Sequence, residues 1–486
     1  MFQAWGERGR RVGAVLGALT GLACGERGTA SGDFAEARQG LTADVKLVAA
    51  ERAANDQFGG AVWISGDRAL VGMPGADSKR GAAYVFERQP DGSWSAGVKV
   101  VAASSVADDQ FGSAVALDGS RALIGATGDQ SDLGAAFVFE RQANGTWSEV
   151  GKLVASDPEA GDGFGSAVAL SGDRALVGAP SDNTTLGEAY LFERQSDGSW
   201  TQVARIWEQP RSYAHNFGRT VSLSGDRALI GTSQYSESGS AYVYDRGSDG
   251  VWARSATLQG TSNESFAFSI ALEGERALIG AYNRSNGGQA YVYNRDSGGT
   301  WTRVATLASA DGEEFDDFGW SVALSGDRAL VGARAADGFF GASYVFERQA
   351  GGAWTQLAKI LASDGAKNDM FGLAVSLSGT RALIGAPRDD SSRGSAYVVD
   401  VTDGDPLGAA CSSAATCRSG YCADGVCCET PCEGDYFACV EAVTGLADGT
   451  CALWPLATAC TVAQQCASGF CSDGICCNAA CDTAND

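Results

Sequence analysis

The chain has 486 residues, with 36 Lys+Arg against 59 Asp+Glu for a formal charge of −23, 66 Gly, 9 Pro, 15 Cys and one His, His215. That acidity argues against a nucleic-acid partner, whose phosphate backbone needs Lys/Arg-rich patches, and a lone imidazole excludes zinc sites built on two or more. Glycine at about twice the ~7% average suits a turn-rich all-β protein, and 44% hydrophobic content excludes a disordered acidic tail.

The N-terminus predicts export. Arg8, Arg10 and Arg11 precede an apolar run over 12–23, a length that fits a secretory signal and is too short to span a bilayer. A signal peptide is therefore expected over 1–23 and a linker over 24–44. Gly21-Leu22-Ala23-Cys24-Gly25 resembles a bacterial lipoprotein signal, which implies lipidation of Cys24 and anchoring to a bacterial outer membrane. Gly21 stands where that pattern prefers Leu, and an ordinary signal peptide cut near Ala30 is the alternative. No other segment approaches 18 apolar residues, so no transmembrane segment is expected.

A repeat governs residues 45–402. Phenylalanines recur at Phe58, Phe111, Phe164, Phe217, Phe266, Phe318 and Phe371, with spacings of 53, 53, 53, 49, 52 and 53. Ten residues after each comes an arginine, from Arg68 to Arg381, followed by Ala-Leu, Val or Ile, and Gly. Each copy reads as four antiparallel strands. In the third copy these are 167–170, a nearly continuous apolar run over 175–179, 188–193 and 200–206, joined by the turns Ser171-Gly172-Asp173 and Ser196-Asp197-Gly198. Four strands per roughly 50 residues suit a propeller blade. The seventh copy lacks a fourth strand, whereas Val45-Lys46-Leu47-Val48-Ala49 matches one and precedes the first Phe. The expected architecture is an all-β seven-bladed propeller closed by that N-terminal strand, which hides the edges an open solenoid would expose.

The repeated residues read as structural. Trp94, Trp147, Trp200, Trp252, Trp301 and Trp354 fit inter-blade packing better than a sugar-stacking row. Each second-strand arginine should face the acid closing the third strand, as Arg68 faces Glu87, with Asn294 as the one break. Acids also gather before the Phe-Gly, at Asp108-Asp109 and Asp316-Asp317 among others, and read more simply as turn-forming loops than as ligand sites.

Phe-Gly opening each repeat and Gly-Ala-Pro closing strand two (Gly178-Ala179-Pro180, Gly385-Ala386-Pro387) resemble the FG-GAP repeat family, whose best-known members are the seven-bladed N-terminal propellers of integrin alpha subunits. The resemblance implies an extracellular recognition propeller, with ligands met by the loops entering strand one and leaving strand two. Calcium-binding members carry an Asp-x-Asp-x-Asp-Gly loop between strands one and two, an oxygen cage of the kind that ion needs. Here that loop shrinks to Ser-Gly-Asp or its equivalent, so no metal and no cofactor is expected.

The last 76 residues form a second region over 411–486, after a linker at 403–410. Cys411, Cys417, Cys422, Cys427, Cys428 and Cys432 recur at an offset of 49 as Cys460, Cys466, Cys471, Cys476, Cys477 and Cys481, and Cys439 and Cys451 lie between the sets. Counts of eight and six are even, and neither a Cys-x-x-Cys pair nor a His occurs there, so disulfides in an oxidising compartment are expected rather than zinc, with their pairing open. The block resembles short Cys-rich repeats appended to secreted bacterial proteins.

These readings converge on a secreted or surface-anchored, non-enzymatic binding or adhesion protein with an extracellular protein or glycan ligand. Candidate binding residues are Asp108, Asp109, His215, Asp316, Asp317 and Asp389; His215 occupies a slot that holds Asp in other copies. The alternatives are a polysaccharide-acting enzyme on a propeller scaffold and a purely structural surface protein. Against catalysis, the near-identical copies offer no unique set of acid, base and nucleophile, and neither Gly-x-Ser-x-Gly nor a Walker loop occurs.

Overall fold

A computed structural model describes residues 41–42 and 45–401, apart from 182–185, 209–215, 233–238, 261–263 and 284–286, with three short strand pairs beyond residue 421. Seven antiparallel sheets follow one another along the chain. They are numbered here as blades one to seven, after the phenylalanines in order. Blade three shows the plan, with strands Ala167–Ser171, Arg174–Ala179, Glu188–Arg194 and Trp200–Ile206 in that spatial order. First strands pack against the first strands of neighbouring blades around the ring, which puts them innermost and the fourth strands outermost.

The ring closes as the missing strand requires. Blade seven contains Ala374–Ser378, Arg381–Ala386 and Ser395–Asp400, and Val45–Leu47 pairs antiparallel with the last of these, Lys46 opposite Tyr397. Sequence did not anticipate Leu41–Thr42, inside the expected linker, which runs parallel to Ile360–Leu361 as a fifth strand of blade six.

The repeated Phe anchors each blade by packing against the aromatic side chains of the third strand. All seven are 0% exposed, and Phe164 meets Tyr190 and Phe192 at 5.4 and 6.3 Å between ring centroids. The glycine after it is required by backbone and space together. Gly165 has φ +90°, and a Cβ there would collide with the Ala135 carbonyl of the preceding blade. Blade five alone breaks the rule, with Ala267 at φ 61°.

The Arg–acid pairing holds in six blades and breaks at Asn294 in the fifth, as the sequence predicts. Arg68–Glu87 (3.3 Å), Arg121–Glu140 (3.0 Å), Arg174–Glu193 (3.1 Å), Arg227–Asp245 (2.6 Å), Arg328–Glu347 (3.1 Å) and Arg381–Asp400 (3.2 Å) are ion pairs, and Arg276 donates to Asn294 at 3.2 Å. The same arginines reach the next blade: Arg121 Nη1 donates to the Gly172 carbonyl at 2.6 Å, and its guanidinium lies over Trp200. The tryptophans are thus packed between blades.

On the opposite rim, blades one, two, six and seven connect strands two and three through left-handed turns such as Asp77-Ser78-Lys79 (φ 51, 59 and 61°). This handedness costs non-glycine residues energy. It turns carbonyls toward the following blade, where Ser78, Lys79 and Arg80 accept from the N–H groups of Asp108, Gln110 and Phe111.

Beyond residue 421 the strand pairs Cys422–Ala423 with Val426–Cys427 and Phe470–Ser472 with Ile475–Cys477 reproduce the 49-residue offset as hairpins. Their side chains, the remaining cysteines of the block and Cys24 lie outside the described residues.

Candidate functional site

The acidic residues before each Phe have work inside the protein. Asp109 is 3% exposed, and its Oδ2 accepts from the Val106 N–H at 2.6 Å, while its carbonyl accepts from Gly128. Asp56, Asp162, Asp316 and Asp369 close their own loops in the same way, three residues back. Burial pushes the Asp162, Asp316 and Asp369 carboxyls up from the ordinary aspartate range. Asp108 is exposed, at φ 69°, with its N–H on the Ser78 carbonyl. Asp389 is buried, accepts from the Ser395 hydroxyl and pairs with Lys46 Nζ at 2.6 Å. Asp317 is 2% exposed and accepts from Arg334 Nε at 3.0 Å. His215 lies outside the described residues. The candidates therefore sit on several blades, and only Asp316 and Asp317 adjoin a feature unlike the rest of the ring.

That feature occupies the same rim, between blades four and six. Two residues after the repeated Phe, the first three blades carry Gly60, Ser113 and Ser166, while blades four to six carry Arg219, Phe268 and Trp320. In blades five and six this position lies in a bulge, since register breaks between Phe266 and Ser269 and between Phe318 and Ser321. A bulge re-aims its side chain. The residue six after the second-strand arginine also changes, from Pro74, Pro180 and Pro387 in blades one, three and seven to Tyr282 and Arg334 in blades five and six.

The five substitutions meet. Phe268, Tyr282 and Trp320 form a triangle of rings with centroids 4.4, 4.6 and 5.0 Å apart. The Arg334 guanidinium lies over Trp320 at 3.2 Å from the ring centre and the Arg219 guanidinium over Phe268 at 4.6 Å. Phe268 and Tyr282 are buried, whereas Trp320, Arg219 and Arg334 are half-buried. The exposed part is thus an indole flanked by two cations, in a chain that is otherwise strongly acidic. Such a surface can stack on a flat or apolar group and hydrogen-bond to a carboxylate beside it. The signal was present in the sequence as substitutions at two fixed offsets, but those offsets acquire meaning only once the bulge shows where they point.

The connection between strands one and two is a tight turn, as from Ser171 to Arg174, and among the described residues no three His, Cys, Asp or Glu side chains group to hold an ion. No described helix is long and apolar enough to cross a membrane.

The FG-GAP repeat matches the chain over residues 41–86, 94–139, 147–192, 200–244, 301–346 and 354–399. The stretch left between the fourth and fifth matches contains the first three strands of blade five, the blade with Ala267, Phe268 and Tyr282. No curated protein matches in sequence. Among solved structures, a crystal structure of a protein from Lactobacillus plantarum is similar, with 17% identity and a TM-score of 0.44, covering 69% of this chain and 96% of that one.

Proposed function

The chain belongs to the FG-GAP repeat family, and from that premise we propose that it is a secreted or surface-anchored recognition protein that binds an extracellular protein partner through the rim cluster, without catalysis or bound metal. The observation that carries this reading is the concentration of Phe268, Tyr282, Trp320, Arg219 and Arg334 at one place in an otherwise repetitive ring. Trp, Tyr and Arg are the residue types that dominate protein-binding hot spots, because they combine large contact area with directed hydrogen bonds. The neighbouring carboxylates favour binding over chemistry: Asp316 is committed to the Glu313 N–H and Asp317 to Arg334. Export is supported by the basic start and the apolar run over 12–23.

The test is a titration of the immobilised protein with cell-surface protein extracts of its source. Saturable, calcium-independent binding is expected, weakened at least tenfold by Trp320→Ser, which installs the residue of blades two and three, and by Arg334→Ala. Absence of saturable binding, or variants that bind like the parent, would overturn the reading.

A further inference from the structure

Blade six departs from the repeat a second time, in the two loops that carry its rim. Among the described residues the exposed large apolar side chains are valines, apart from three phenylalanines, and all three belong to this blade. Phe315, Phe339 and Phe340 are 56, 49 and 43% exposed. Phe315 stands three residues before the repeated Phe, where blades one, two and seven carry Asn55, Asp108 and Asn368. Phe339 and Phe340 end the connection from strand two to strand three, where the same blades carry Lys79-Arg80, Asp132-Leu133 and Ser392-Arg393. The two loops are laced together: the Ala335 N–H donates to the Asp316 carbonyl at 3.2 Å, and the Phe339 N–H to the Ala335 carbonyl at 2.9 Å.

The backbone does not favour these rings. Phe315 and Phe339 have φ 74 and 80°, a left-handed conformation that Asn and Asp tolerate and a bulky side chain does not. Among the described residues none of the three makes an aromatic ring contact. Strained backbone and exposed apolar surface both disfavour the free protein, and both recur where a partner covers the side chain. The charges beside the patch are uneven. Lys359 is engaged by Asp311 and Asp337 at 2.7 and 2.8 Å. The Asn368 N–H donates to the Phe339 carbonyl at 2.7 Å, which brings Lys367 alongside. Among the described residues Glu313, Glu314 and Lys367 are exposed without an ion pair, so carboxylates outnumber cations there.

We propose that Phe315, Phe339 and Phe340 form a docking patch for a protein segment with an apolar centre and Lys or Arg at its flanks. This rests on the reading of the rim as a protein-binding face and specifies what that face accepts. Apolar partner side chains cover the rings, while the flanking cations reach Glu313 and Glu314. The patch is continuous with the Trp320 cluster, because Asp317, two residues after Phe315, accepts from the Arg334 that lies over Trp320. A bilayer is the poorer occupant, since the same carboxylates and a chain charge of −23 repel anionic lipid.

Fluorescence anisotropy with three labelled peptides at about 0.15 M salt tests the proposal: Lys-Lys-Leu-Phe-Leu-Lys-Lys, Lys-Lys-Ser-Ser-Ser-Lys-Lys and Glu-Glu-Leu-Phe-Leu-Glu-Glu. Saturable binding of the first is expected, with the other two at least tenfold weaker. Phe315→Asn and Phe339→Ser install what blade seven carries in the same left-handed conformation. Each should weaken the first peptide at least fivefold, with a thermal midpoint unchanged or higher. Glu313→Gln together with Glu314→Gln should at least halve the preference for Lys over Glu flanks. No saturation by about 1 mM peptide, indifference to the Phe variants, a lower midpoint in them, or a flank preference that the Glu variants leave intact would each overturn the patch. So would phenylalanine-dependent binding to phosphatidylcholine or phosphatidylglycerol vesicles. Trp320→Ser should leave peptide affinity unchanged while reducing extract binding. Peptides that fail while extract binding persists therefore sink this patch alone, and extract binding that survives Trp320→Ser sinks the rim reading alone.

Discussion

At the scale of the residue, Asp316 shows how an apparent ligand can be a loop staple. Its carboxylate accepts from the Glu313 N–H at 2.8 Å, its carbonyl accepts from Ala335, and it is 7% exposed. Burial raises its pKa, with Glu313 and Asp337 adding to the effect. A carboxyl raised on folding is protonated more readily in the native state, so stability falls as pH rises through its folded pKa and stays lower above it. Asp316→Asn keeps an acceptor and removes the charge. The variant should therefore melt higher than the parent at pH 7, with an advantage that shrinks toward pH 4, and its rim binding should be unchanged. A lower midpoint at pH 7 would show that the charge itself holds the loop.

The element scale is ruled by pairs that cross strands and blades together. Glu87 takes Arg68 of its own blade and Arg141 of the next, at 3.3 and 2.5 Å, and the Arg141 bond holds its carboxyl below the usual range. Blade five carries Asn294 where the others carry an acid, so Arg276 meets no opposite charge within its own blade and pairs only with Asp327 of the next, at 3.1 Å. Asn294→Asp should add about 0.5 kcal/mol at low ionic strength, the value of a partly exposed pair. The gain should fade in about 1 M salt, where the screening length is ~3 Å. Urea midpoints at both ionic strengths measure it, and a gain that persists in salt would mean packing rather than charge.

For the whole molecule, closure is the decisive event. Val45–Leu47 completes blade seven, Lys46 ties it to Asp364 and Asp389 at 2.6 Å each, and Gln57 and Phe58 donate to the Ser392 and Arg393 carbonyls. Without the strand, blade seven would present an unpaired edge to other chains. A chain beginning at residue 40 should unfold like the full-length protein. One beginning at residue 50 should unfold at lower urea and self-associate on size-exclusion chromatography. Equal midpoints and a monomeric profile would mean that the ring is held by blade packing alone.

How much of this was legible in the sequence depends on whether a residue's role is periodic. The seven phenylalanines, the second-strand arginines and the apolar run of strand two recur in register, so period alone determines blade number, strand order and the Arg–acid pairs. The missing fourth strand and its N-terminal match likewise determine the closure. Leu41–Thr42 escaped because two residues pairing parallel carry no periodic signal. The loop acids were visible as residues, but not the direction of their carboxylates, which return to the backbone three positions earlier. Tertiary structure alone decided that the rim substitutions form one cluster. Arg219 and Arg334 are 115 positions apart in the chain, and they share a rim only because the ring sets blades four to six side by side.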